Sequence, residues 1–164
     1  MPKYRRLRPE ELEALRDEFV QFLASNSIPA EDWEKLKKTS ADETSKVIDI
    51  FSDIVWEKVL TKTQYVEIRK SNLLQVMKFG DEKTDLIQIA IKHPTFDFRN
   101  PEDIRGLADG RIKLASLQPE VHTGKKTHSL LRNEEIFYQL ERGGVAVDAS
   151  MWDLMTTFVG SSMK

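Results

Sequence analysis

The sequence predicts an α+β fold: N-terminal helices, a small antiparallel three-stranded meander, an irregular excursion and two C-terminal helices. Three observations lead there. Apolar residues recur at helical spacing through the first third of the chain, and β-branched, partly alternating runs replace them from Thr63. Periodicity is then lost between His93 and Arg132 and returns at Asn133. A change of hydrophobic period along a chain is the primary sign of a change of element type.

Pro9 suits a first helical turn, where its missing N–H costs nothing, and Glu10 and Glu11 favour the positive end of the helix dipole. Leu12, Leu15, Phe19, Phe22 and Leu23 continue as one apolar stripe that stops near Asn26. Pro29, Glu31 and Asp32 restart a short helix carrying Trp33 and Leu36. Ser40 and Glu43 have capping-box spacing. Behind them Val47, Ile48, Phe51, Ile54, Val55 and Val59 predict a long helix at the centre of the core.

Tyr65–Arg69 and Leu73–Phe79 read as strands, and Gly80–Lys83 can turn the chain. Asp85, Ile87, Ile89 and Ile91 then share one face of a third strand, which makes the last two a hairpin. Within the excursion, Asn100, Pro101 and Gly110 bracket one short helix with Ile104, Leu107 and Ala108 facing inward. Asn133 and Asp148 are read as caps of the two closing helices, separated by Gly143 and Gly144. The last helix turns Met151, Trp152, Met155, Phe158 and Val159 inward.

At 164 residues, 40% hydrophobic and 32% charged, the chain is read as a single globular domain over residues 1–164. The stretch 93–132 is read as an irregular excursion from it, either a mobile tether or a segment that wraps the core. The chain has no cysteine, which removes thiolate metal sites, thiol nucleophiles and disulfides and fits a cytoplasmic location. The basic start has no apolar run behind it, so no signal peptide is expected. No apolar run is long enough to span a membrane.

The excursion gathers all three histidines, His93, His122 and His128, and no aromatic residue occurs from Arg99 to Ile136. Between residues 111 and 132 five basic side chains (Arg111, Lys113, Lys125, Lys126, Arg132) stand against Glu120 alone. The candidate binding residues are therefore His122, Lys125, Lys126, His128 and Arg132. The segment His122–His128 faintly suggests a phosphate-binding loop but lacks the motif. Pro119 stands where a glycine is needed, and Lys126 where a magnesium-binding hydroxyl is needed. His122 and His128 are not at a usual ligand spacing, and no cofactor, metal site or catalytic residue is assigned.

The segments Lys3–Leu7, Glu10–Leu12, Phe19, Phe22–Leu23, Ala30–Lys37, Phe51–Val55 and Glu57–Leu60 resemble an uncharacterised family of small bacterial cytoplasmic proteins. The block Asn133–Phe137, Leu140–Glu141 and Gly143 continues the likeness at the other end. The resemblance implies one intact bacterial domain and brings no activity with it. The residues themselves point to a non-enzymatic protein-interaction or regulatory module, possible as a homodimer. Its partner would bind through the excursion, a sheet edge or the last helix. One alternative is an RNA-associated factor using the basic clusters. Another is a small metal-assisted or histidine-dependent hydrolase using His122 or His128.

Overall fold

A computed structural model of the chain describes residues 1–162. By their internal contacts the residues form two compact units, Met1–Leu60 and from Thr61 onward.

The first unit is helical. Helices α1 (Pro9–Ala14) and α2 (Arg16–Ser25) divide what the apolar stripe suggested as one helix, with the break at Leu15. Helix α3 (Ala30–Thr39) follows Pro29, and α4 (Ala41–Lys62) carries the chain into the second unit. Ser40 Oγ accepts the Glu43 N–H at 3.2 Å, as the capping-box spacing implied. Phe19 meets Trp33 edge-on at 5.2 Å between ring centroids and packs on Phe51 at 4.9 Å. Aromatic rings bury large areas and favour such tilted contacts, so these side chains anchor α2 and α3 on α4. The expected apolar face of α4 is narrower than its sequence: Phe51 is buried, whereas Ile54 and Val59 are exposed. Unmarked by any motif, Ser52 is fully buried. It accepts the Leu7 N–H at 2.9 Å and donates to Ile48 O at 2.7 Å, fixing the N-terminal segment to α4.

The second unit is built on a five-stranded, wholly antiparallel sheet of β1 (Tyr65–Arg69), β2 (Leu73–Phe79), β3 (Lys83–Ala90), β4 (Glu120–Thr127) and β5 (Val145–Val147). The strand order is β4-β3-β2-β1-β5. The three-stranded meander is present as its centre, and the two outer strands are additions that the sequence reading did not contain. The register pairs Leu74 with Ile89 and Val76 with Ile87, so these four share one face. Helix α5 (Pro101–Asp109) and the short 3₁₀ turn Leu114–Leu117 close over that face, as does α7 (Ser150–Ser162). Their Leu107, Leu114, Leu117, Met151 and Met155 complete the core. Helix α6 (Arg132–Glu141) buries Ile136.

The stretch 93–132 is thus not irregular. The expected short helix is there, capped by Asn100 Oδ1 accepting the Glu102 N–H at 3.0 Å and ended by Gly110 at φ +82°. Positive φ favours glycine because no Cβ clashes there. Phe96 and Phe98 are buried before α5, and the Phe98 N–H donates to Ser71 O at 3.1 Å. Strand β4 then pairs with β3 along its whole length. It escaped sequence patterning because seven of its eight residues are exposed on either face, so no apolar alternation is required of it. The cap of α6 also moves: Leu131, not Asn133, precedes the first helical residue, and Glu134 reaches back to the Leu131 N–H at 3.4 Å.

Candidate functional site

Four of the five residues singled out by sequence lie on or just after β4, and the fifth does not join them. Arg132 opens α6 and turns inward: its guanidinium donates to Thr63 O and, at 3.1 Å, to Asn133 Oδ1. Asn133 donates in turn to Thr61 Oγ1 at 3.1 Å. Arg132 therefore ties α6 to the approach to β1.

On β4, side chains alternate between faces as the pleat requires. Glu120, His122, Gly124 and Lys126 share one face; Val121, Thr123, Lys125 and Thr127 share the other. Val121 lies opposite Ile89 and packs against the core, while Lys125 reaches Asp85 on β3 at 3.4 Å. His122 Nε2 lies 3.2 Å from Glu120 Oε1, one of the carboxylates that a site at these histidines would need. The pair has the contact needed to orient an imidazole. However, its side chains are 59% and 65% exposed, so water screens the interaction that a catalytic pair would exploit. Among the described residues no three His, Asp or Glu side chains are grouped to hold a metal ion.

His128 closes the strand. Its N–H donates to Glu82 O at 2.8 Å, its Nε2 lies 2.7 Å from Thr84 Oγ1, and its ring sits 6.2 Å from that of Phe79. Its Nδ1 is buried without a hydrogen-bond partner. Behind it a cleft of about 270 Å³ is floored by Met77, Phe79 and Leu86 and bordered by Gly124, His128 and Glu135. Glu135 is largely buried, and its Oε1 accepts the N–H groups of Ser129 at 2.8 Å and Leu130 at 3.0 Å. Burial is the largest single influence and pushes its pKa up. The two backbone hydrogen bonds, the charge of Lys126 and the Ser129 hydroxyl together outweigh it, so the carboxyl is held below its ordinary range. The cleft is smaller than the roughly 300–1,000 Å³ typical of small-molecule sites. In the first unit a cleft of about 610 Å³ runs along α2 and α3 beside Phe19 and Trp33. Its border charges are paired with each other, Arg16 with Glu13 and Lys37 with Glu34.

The model of one protein family matches residues 1–160. The chain belongs to this family of unknown function, DUF6495. Comparison with curated proteins and with solved structures finds no match.

In this DUF6495 chain the outer edge of β4 is left without a neighbouring strand among the described residues. Antiparallel pairing turns the backbone groups of alternate residues toward and away from a neighbour. The His128 N–H bonds to Glu82 across the β3–β4 register, so the even-numbered residues of β4 are those bonded to β3. Val121, Thr123, Lys125 and Thr127 therefore direct N–H and C=O groups outward. Among the described residues no further strand pairs with them. Sequence reasoning found the basic residues here but missed the strand that presents them. Its signal was Val121, Thr123 and Thr127, β-branched residues two or four apart.

No helix among the described residues of the DUF6495 chain is long and apolar enough to cross a membrane.

Proposed function

We propose that this protein is a non-enzymatic interaction module of the bacterial cytoplasm, and that it binds a protein partner by strand addition to β4. The open edge of an eight-residue strand carries the proposal. Unpaired strand edges are templates for a further strand, whose backbone supplies affinity while its side chains supply selectivity. Lys126, whose charge also acts on Glu135, gives the edge a positive charge that favours an acidic side chain opposite it. The absence of cysteine fits a reducing compartment.

The test is capture from native lysate with the intact chain, a Thr123→Pro variant, and a variant carrying Lys125→Glu and Lys126→Glu. Proline at 123 removes an outward N–H and no bond to β3, a position where an edge strand tolerates it. A partner held by the parent chain and lost from both variants is the expected result. Equal capture by all three chains places binding elsewhere. Retention on an RNA column that collapses with rising salt favours the RNA-associated alternative instead.

A further inference from the structure

We propose that the strand received by β4 is β4 of a second copy, antiparallel and centred on Thr123. This rests on the strand-addition reading above and names its partner. An edge strand can meet its own copy in a continuous sheet only if the two-fold axis passes through one residue position. Residues on the same face then stand opposite each other. The interface is isologous, so every pairing away from the axis occurs twice.

Charge selects among the possible centres. Around Thr123, Glu120 of each copy stands opposite Lys126 of the other, and both lie on the same face of the sheet. Val121 stands opposite Lys125, whose aliphatic stem can cover it, and His122 stands opposite Gly124. Centred on Gly124, Lys126 would face His122 and Lys125 would face Thr123, leaving no carboxylate opposite either lysine. Centred on Lys125, two lysines would face each other. Lysines on an edge strand ordinarily discourage a second edge. Here the sequence places a carboxylate three residues before Thr123 and an ammonium three residues after it, so the strand is complementary to itself.

The hydrogen-bonding groups agree with this register. Thr123, Val121 and Lys125 all point outward, so Thr123 meets its own copy and Val121 meets Lys125 as hydrogen-bonded pairs. Gly124 adds no side chain where His122 of the other copy must fit, and a Cβ built there has nothing within 4 Å. Lys125 keeps its contact with Asp85 on its own β3.

The experiment is light scattering of the purified full chain over a concentration series. The expected mass rises toward twice the 19.0 kDa monomer. Lys126→Glu or Glu120→Lys alone should weaken association about tenfold or more, because two cross-strand pairs become repulsive together. The chain carrying both substitutions restores opposite charges and should dimerise again. This rescue separates the register from any loss of folding. Because the chain has no cysteine, Thr123→Cys provides a single probe. Opposed residues of a hydrogen-bonded pair have Cα atoms about 5.5 Å apart, within disulfide reach. Mild oxidation should therefore link two Thr123→Cys chains. A monomer at every concentration overturns the proposal, as does a dimer indifferent to both charge reversals. A monomer that still captures a different protein in a Thr123→Pro-sensitive way overturns self-pairing and leaves strand addition standing.

Discussion

Glu135 holds Ser129 twice: one carboxylate oxygen accepts its backbone N–H at 2.8 Å and its hydroxyl at 3.3 Å. The same oxygen accepts the Leu130 N–H, so one buried acid organises the corner between β4 and α6. Glu135→Ala should cost about 2 kcal/mol, the range for hydrogen bonds to a charged group whose loss leaves donors unpaired. The folded state holds this pKa below the ordinary value of 4.5, so its stabilisation is full above that value. It is lost as pH falls through the lower, folded-state pKa. Urea melts from pH 6 to pH 3 should show a shallower acid decline in Glu135→Gln than in the parent chain.

Ser52 offers a second measurement, in the helical unit. Ser52→Ala leaves the buried Leu7 N–H without its acceptor. A loss of about 1–3 kcal/mol is expected, with faster amide exchange from Leu7 into α1. An unchanged exchange pattern would show that the N-terminal segment is held by its other contacts, such as the Lys3 and Tyr4 N–H groups on Asp53.

Two glycines should respond oppositely to the same substitution. At Gly144 a Cβ would lie 2.6 Å from Val66 Cγ1 and 2.7 Å from the Gln139 carbonyl oxygen. Gly144→Ala should cost about 1–3 kcal/mol by forcing α6 away from β1. At Gly124 the space within one chain is open, so in dilute, monomeric protein alanine should stabilise the strand by roughly 0.5–1 kcal/mol through the lower chain entropy of its unfolded state. Denaturant midpoints of the two variants should move in opposite directions.

Phe98 makes the non-helical stretch after β3 part of the core. It is fully buried and packs edge-on against Phe96 at 5.1 Å. Phe98→Ala should cost about 3–5 kcal/mol, the usual range for removing a buried phenylalanine. Trypsin should then cut at Arg99, Arg105, Arg111 and Lys113 faster than in the parent chain. Equal cutting rates would contradict the anchoring role.

Legibility in the sequence followed what each element needs from its side chains. The Ser40 cap, the three central strands and the helix from Pro101 appear where their residues indicate, because each depends on local signals: a capping hydroxyl, alternation over a one-sided core, or a bracketing Asn and Gly. β4 and β5 depend instead on backbone pairing with distant strands. Neither needs an apolar face, so Glu120–Thr127 resembled loop and Val145–Val147 vanished between two glycines and a cap. The candidate site was half legible for the same reason. His122, Lys125, Lys126 and His128 were visible as residue types, but their placement along one edge was not. Arg132 looked like their neighbour and instead bonds to Thr63. Glu135 and Thr84, which complete the His128 corner, come from other elements and carry no local motif.

Tyr65 pairs with Val147, whereas the turns between β1, β2 and β3 are short. The meander can therefore form early from local contacts, but β1 keeps one side unsealed until residues from the far end of the second unit arrive. Closing so long a loop is the slow step in forming a sheet. During synthesis β1 would have emerged well before the strand that covers it, leaving a temporary edge for chaperones or for misdirected pairing with a nascent neighbour. β5 thus has a kinetic duty out of proportion to its three residues: it ends the interval in which the folding chain is adhesive on both flanks.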